Sequence, residues 1–482
     1  MRKAQKQLIL EIMDSLHEAH RQIKKRLSTG QPGEAQALMA ECQDIAVQIG
    51  TSIDDSEGDG TNAVHYLEKY CEALYQVHEN VITDMTADNA FHILEENLNT
   101  TEKSVKNEIK IKLEIVFMPY KTSMWDSLES IWRAADADPD CEAYVVPIPY
   151  YERNPDHSLG DFHYEGKDFP EDVPVTHYEN YDLEERKPDI IYIHNPYDDA
   201  NYVTSVDPRF YSAELKKHTE MLVYVPYFFW KEVDPSDTAE VKRTSLFCIP
   251  AAVSNIDRFF APSENLRQLH IRAYLSKFGN NKAMQLKAEK KYVTAASPKT
   301  DKLLAMTSEN THIPPEWAEK CAGKKVVFYN TAIFGLLNFP SEYIDKLRRV
   351  LKFFRGREDC VLLWRPHPLI ESTINSMTPA LRNGYLKLKN QFISENKGIY
   401  DETPDTFKAM YLSDMFYGDY SSISTQFELL GLPVLFQNPS DDEMTALEDM
   451  LNNCQKKVMK PLSADYIPNG TKIHKLIKDQ VI

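Results

Sequence analysis

The 482-residue chain lacks any apolar stretch approaching the roughly 20 residues that a membrane-spanning helix needs. Its most apolar run, Met221 to Trp230, is interrupted by Pro226, so a soluble or peripheral protein is expected. The N-terminus MRKAQKQLILEIMD has basic residues but acquires acids before a signal-peptide core is complete. CxxC pairs are missing too. The seven cysteines, Cys42, Cys71, Cys141, Cys248, Cys321, Cys360 and Cys454, are odd in number and widely spaced, which reads as reduced thiols in a cytosolic compartment. Positive charge is short: 55 Lys and Arg against 73 Asp and Glu give a net charge of −18. A nucleic acid would meet a repulsive field unless a local patch reversed it, and that partner is not expected. There is no GxGxxG after the first predicted strand, no GxxxxGK[ST], no HExxH and no GxSxG. Dinucleotide, P-loop, zincin and hydrolase-elbow chemistries therefore lack their fingerprints. His157 and His163 with Asp156 and Asp161 imitate a metal cluster, but their Tyr- and Pro-rich setting reads as a loop, and no metal is expected.

What is present is an ordinary globular composition, 42% hydrophobic and 27% charged, with a length that suits about three domains. Residues 1–108 read as a helical module. Ile9, Ile12, Met13, Leu16, Ile23 and Leu27 recur at helical spacing, a Gly-Gln-Pro-Gly break follows at Gly30, a second periodic stretch covers 34–49, and Leu67, Cys71 and Leu74 mark a third helix. The apolar face of the first helix has two uses, packing against its successors or peripheral contact with an anionic membrane. Packing is the simpler.

From Lys110 short apolar strands alternate with helical patterns, which predicts parallel α/β architecture. Strands are expected at 111–118, 143–148, 190–193, 221–225, 258–260 and 292–295, then at 325–329, 361–364 and 415–417. Two α/β units in series result, 109–290 and 291–482.

Two strand ends in the second unit carry chemistry. Met415-Phe416-Tyr417-Gly418-Asp419-Tyr420-Ser421-Ser422 runs from strand through a polar turn into a helix closed by Gly431 and Pro433. A helix start with hydroxyls can hold a phosphate; the plainer reading is an N-cap. Val361 to Pro368 places Arg365 and His367 just past a strand, where ligands of open α/β sheets bind. Arg can fork onto phosphate oxygens, and His can donate a proton or a charge. A surface loop is the alternative. The turns Ala296 to Asp301, containing Lys299, and Asn330-Thr331 offer small polar groups of the same kind. Thr403-Pro404-Asp405 reads as a helix cap.

In order and spacing these pieces resemble the CDP-glycerol glycerophosphotransferase family. Its C-terminal half shows a Gly-x-Pro-Arg-x-Asp turn, a strand ending near Pro-Thr, an Arg-x-His-Pro strand end and an Asp-Tyr-Ser-Ser turn. The counterparts here are Ala296 to Asp301, Phe328 to Ala332, Arg365 to Pro368 and Asp419 to Ser422. The likeness is clear over 290–440 and weaker over 111–261. It implies a GT-B-like pair of Rossmann-like domains and transfer of glycerol phosphate from CDP-glycerol, without metal or cofactor, to a polyol or lipid-linked hydroxyl acceptor in teichoic-acid-like polymer synthesis. The setting implied is cytoplasmic, at the inner face of the cell membrane when the acceptor is lipid-linked. Arg365 and His367 would contact or protonate the donor diphosphate, Ser421 and Ser422 would bind phosphate, and Lys299, Thr331 and Asp419 would shape the donor pocket. One departure stands out: the family's Thr-Trp-His-Gly turn, with its candidate acceptor-side base, is replaced by Tyr224-Val225-Pro226-Tyr227-Phe228. His194 at the end of strand 190–193 is the substitute candidate, with a packed structural role as its alternative. A GT-B glycosyltransferase using a nucleotide sugar and a noncatalytic nucleotide-binding scaffold are the competing functions.

Overall fold

A computed structural model describes residues 1–481 apart from 82–84, 155, 231, 235, 308, 404–405, 439–442, 458–462 and 464. Four helices open the chain: α1 (Lys3–Ser28), α2 (Pro32–Glu57), α3 (Asn62–Asn80) and α4 (Ala87–Glu108). Each buries one stripe, Ile9, Met13, Leu16 and Ile23 on α1 meeting Met39, Ala46 and Ile53, Leu67 and Leu74, and Leu94 and Leu98. Burying each such side chain fully contributes about 1.5–3 kcal/mol, so the stripe decides the packing. Thr61 and Thr86 cap α3 and α4 by accepting the Val64 and Asn89 N–H groups. Lys6, though charged, is buried because it donates to the Lys106 and Ile109 carbonyls at the end of α4, 2.9 and 2.8 Å away. The sequence predicts three helices here. The fourth was hidden because its buried Ala90, Leu94, Leu98 and Val105 are diluted by Asn, Thr and Glu. The bundle buries Ile9, Met13, Leu16 and Ile23 of the apolar face of α1 and packs Ile12 and Leu27 partly against the same core. No helix among the described residues is long and apolar enough to cross a membrane.

The strands are β1 (Leu113–Met118), β2 (Cys141–Val145), β3 (Tyr150–Arg153), β4 (Leu159–His163), β5 (Ile190–Ile193), β6 (Thr204–Val206), β7 (Met221–Tyr224), β8 (Arg258–Ala261), β9 (Tyr292–Thr294), β10 (Lys325–Thr331), β11 (Cys360–Pro366), β12 (Ile399–Tyr400), β13 (Met415–Gly418) and β14 (Val434–Phe436). They form a parallel sheet ordered β2-β1-β5-β7-β8-β9, a second parallel sheet ordered β12-β11-β10-β13-β14, and a small antiparallel sheet β4-β3-β6. The two parallel sheets with flanking helices are the pair of α/β units that the alternation predicts, in keeping with the GT-B-like pair of Rossmann-like domains that the resemblance implies. Strand β1 is buried throughout, Ile115 and Phe117 entering one core and Val116 and Met118 the other. Helices on both faces follow from that continuous apolar run.

The division of the chain departs from the expected 290/291 boundary in two ways. Strand β9 pairs in parallel with β8, so the first sheet continues to Thr294. The last helix, Asn469–Lys478, then returns from the second domain and packs on Glu129–Asp136, with Ile473 and Ile477 entering the core beneath β1. Its start is capped by a distant carboxylate, Asp301, which accepts the Asn469 and Gly470 N–H groups at 2.9 Å. Gly470 is required by contact: a Cβ there would stand 2.3 Å from the Ser130 backbone. His474 and Lys478 both reach Asp138 at 2.8 Å. Sequence pattern could not reveal this crossing, because an amphipathic helix does not state which core it serves.

Candidate functional site

The second sheet is built around β10, flanked by β11 on one side and β13 on the other. Parallel pairing sends all three carboxyl ends to the same edge, with Thr331 level with Pro366 and Asn330 level with Gly418. At about 4.8 Å per strand, the residues after β11 and β13 stand roughly 10 Å apart across the tip of β10. Gly418 has φ 146°, and a Cβ on it would lie 2.1 Å from the Asn330 carbonyl oxygen. Only glycine permits that approach.

After Gly418 the chain turns. Asp419 is buried, its carboxylate accepting the Ala332 N–H at 2.6 Å and the Gln437 amide at 2.7 Å. Burial raises its pKa. The side chain thus ties the end of β13 to the turn after β10, and it shapes the edge by holding backbone. The helix Ser422–Leu429 begins beyond it, with Ser421 as N-cap. The Ser424 hydroxyl lies 3.3 Å from the Ser421 N–H and 2.7 Å from its carbonyl. Ser422 is exposed. The first-turn N–H groups of a helix have no intrahelical acceptor, so this start presents donors and positive dipole to the strand edge.

Across β10, His367 is half-buried. Its backbone N–H donates to the Thr331 carbonyl at 2.8 Å, and its Nδ1 accepts the Leu369 N–H at 3.1 Å. Because a backbone N–H can only donate, the neutral ring carries its proton on Nε2. Burial lowers the imidazole pKa, which favours that neutral form. Arg365 behaves differently. Its guanidinium is buried, paired with Asp401 and donating to the Thr403 carbonyl at 2.7 Å. A desolvated guanidinium requires a carboxylate, and Asp401 supplies it, so Arg365 braces the turn after β12 in place of forking onto a diphosphate. Thr331 is likewise turned inward, its hydroxyl accepting from the Trp364 indole at 3.2 Å. Thr403 stands in that braced turn, while Pro404 and Asp405 lie outside the described residues. The helix that follows begins at Phe407.

The two remaining expected residues lie toward the first domain. Lys299 pairs with Asp126, 2.6 Å from Oδ2, both side chains being about a tenth exposed. The pair joins the turn before the second domain to the segment after β1, and it takes Lys299 away from a donor phosphate. His194 is sealed. Its Nε2 accepts the Tyr120 N–H at 3.1 Å, its Nδ1 lies 3.2 Å from the Ser127 hydroxyl, and burial holds its pKa down at about 3. An imidazole with both nitrogens engaged and no solvent access takes no proton from an acceptor at neutral pH; the part of acceptor-side base is corrected to a structural one.

Cavities flank the turn Ser297–Lys302 on both sides. One of about 170 Å³ lies between the domains, where Pro226, Phe228, Phe229 and Trp230 face Thr425 and Leu429 of the helix that starts at Ser422. The residues after β7, β8 and β9 therefore face the body of the helix that follows β13, and His367, Ser421 and Ser422 do not line this cavity. The same aromatics wall an adjoining basin of about 420 Å³ with Tyr197, Tyr227, Arg243 and Phe247. A larger cavity of about 1300 Å³ opens between Glu129–Asp136, Asp301 and Asn469–Lys478. The aromatic wall, Asp126 and Asp401 had no local sequence signal, since each acquires its meaning from a partner or a neighbour distant in the chain.

No family model matches the chain, and no curated protein matches it. Among solved structures, a UDP-GlcNAc 2-epimerase from Methanocaldococcus jannaschii is 13% identical, with TM-score 0.45 over 77% of this chain and 100% of that one. A UDP-GlcNAc 2-epimerase from Neisseria meningitidis, bound to UDP-GlcNAc, is 13% identical, with TM-score 0.41 over 77% and 92%. The wall teichoic acid polymerase TagF is 13% identical, with TM-score 0.37 over 88% of this chain and 90% of that one. Likenesses at this level carry no argument about substrate or reaction.

Proposed function

We propose that the chain is a transferase that moves glycerol phosphate from CDP-glycerol to a hydroxyl acceptor, a polyol or a lipid-linked one, with release of CMP. The observation that carries this reading is the edge of the second sheet. His367 with its Nε2–H on one side of β10, and the helix start at Ser422, capped by Ser421, on the other, offer donors at a spacing a nucleotide diphosphate can bridge. The order of these motifs in the sequence supports the choice of donor.

The acceptor oxygen attacks the phosphorus next to glycerol, and the bond from that phosphorus to the CMP oxygen breaks. In a loose phosphoryl-transfer transition state the charge accumulates on the leaving group, so donors facing the CMP phosphate matter more than a base on the attacking hydroxyl. This agrees with the sealed position of His194, the substitute for the family's histidine. Arg365, Asp419 and Thr331 act by holding the ends of β10, β11, β12 and β13 together, while Lys299 with Asp126 holds the domains together.

Calorimetric titration with CDP-glycerol, CDP-ribitol and UDP-GlcNAc tests the reading. Binding of CDP-glycerol with CMP release on adding a polyol acceptor is the expected result. Binding of UDP-GlcNAc alone would move the function to sugar transfer, and donor binding without turnover of any acceptor would leave a scaffold.

A further inference from the structure

The helical bundle carries a polar cluster that its packing does not require. His17 and His20 stand on one face of α1 and direct their Nδ1 atoms at a single carboxylate, Glu95 of α4. His17 Nδ1 lies 3.0 and 2.9 Å from the two Glu95 oxygens, and His20 Nδ1 lies 2.8 Å from Oε1. One ligand atom from each of the three residues falls within 4.8 Å of the others. The outer ring nitrogens have partners as well: His20 Nε2 is 2.6 Å from the Tyr70 hydroxyl on α3, and His17 Nε2 is 3.8 Å from Glu102. Among the described residues no lysine or arginine pairs with Glu95.

Two imidazoles and a carboxylate are a donor set for zinc-class cations, and an imidazole that binds metal through one nitrogen is held by a hydrogen bond on the other. We propose that His17 Nδ1, His20 Nδ1 and Glu95 hold a divalent ion of the zinc class that clamps α1 to α4. Tyr70 orients the His20 ring by its hydrogen bond, Glu102 lies 3.8 Å from the His17 ring, and water completes the tetrahedron. Zinc–ligand bonds of about 2.0–2.1 Å place tetrahedral ligands roughly 3.3 Å apart, so the cluster opens by about half an ångström to admit the ion. A second convergence, Asp138, Cys141 and His474, is a poorer host. The Lys478 ammonium already stands 2.9 and 2.8 Å from the two Asp138 oxygens and takes the cation's place.

The test uses the full chain, stripped with chelator, dialysed and titrated with Zn²⁺ by calorimetry and with Co²⁺ by visible absorption. One ion bound per chain, a raised melting temperature and tetrahedral Co²⁺ bands are expected. His17→Ala, at a partly exposed position, and Glu95→Gln should each weaken Zn²⁺ affinity by at least roughly tenfold while His474→Ala leaves it unchanged. A wild-type chain that takes up no ion, or uptake that survives His17→Ala and fails in His474→Ala, would overturn the proposal.

Discussion

Replacing His367 by Gln or by Asn separates the two nitrogens of its ring. Nδ1 is committed to the Leu369 N–H at 3.1 Å, leaving Nε2–H as the group that would donate to a phosphate in the proposed reaction. With the pKa lowered by burial, under about a tenth of the ring is charged at pH 7.5, so it works as a neutral hydrogen-bond donor. One hydrogen bond to a charged acceptor contributes about 1.5–3 kcal/mol, or roughly ten- to hundredfold in affinity or rate. Gln carries an N–H₂ group near the position of Nε2 and should retain most of the binding. Asn keeps the Leu369 contact, loses the reach and should show the full deficit, as should Ala. The assay is CMP release from CDP-glycerol between about pH 6 and 9, with dissociation constants measured in parallel. Since the neutral ring is the working form, the rate should rise as pH climbs through the imidazole pKa and then stay level. A wild-type rate that falls from pH 6.5 upward, with that fall abolished in His367→Gln, would mean that the imidazolium surrenders a proton, and would refute this reasoning.

Gly418→Ala should cost at least about 2 kcal/mol in urea unfolding, because its Cβ would collide with the Asn330 backbone and part β13 from β10; an unchanged midpoint would dismiss the close approach. Lys299→Met should destabilise by about 3 kcal/mol by stranding Asp126, and adding Asp126→Leu should recover most of the loss, since the pair is nearly buried; equal losses in single and double variants would show that the pair is not coupled. Burial of Asp138 opposes its ionisation, yet hydrogen bonds from Lys478 and His474 hold its pKa down at about 2. Its carboxylate is therefore a source of stability that is present above about pH 4 and lost as pH falls toward 2, and Asp138→Asn should flatten that part of the acid limb by about 1 kcal/mol after allowance for solvent screening.

Much of the architecture was legible in the sequence. Parallel strands buried on both faces are written as continuous apolar runs, and 190–193, 221–225 and 258–260 announced themselves in that way. The antiparallel sheet of β3, β4 and β6 was not legible, because β3 and β4 are short and polar, β4 is largely exposed, and β6, though buried, has only three residues. At the candidate site, residue types at strand ends were readable, whereas the direction of each side chain was not. Arg365 and His367 stand two residues apart, yet one is buried on Asp401 and the other is half-buried with its Nδ1 on the Leu369 N–H.

Periodicity and motif order by themselves determined that this chain holds a helical module and two parallel α/β domains, since apolar spacing is a local property of the backbone's repeat. Tertiary structure decided which polar groups remain open. His194, Arg365, Thr331 and Lys299 each met a partner from far along the chain, because a buried polar group must be satisfied, and no local pattern names the residue that satisfies it.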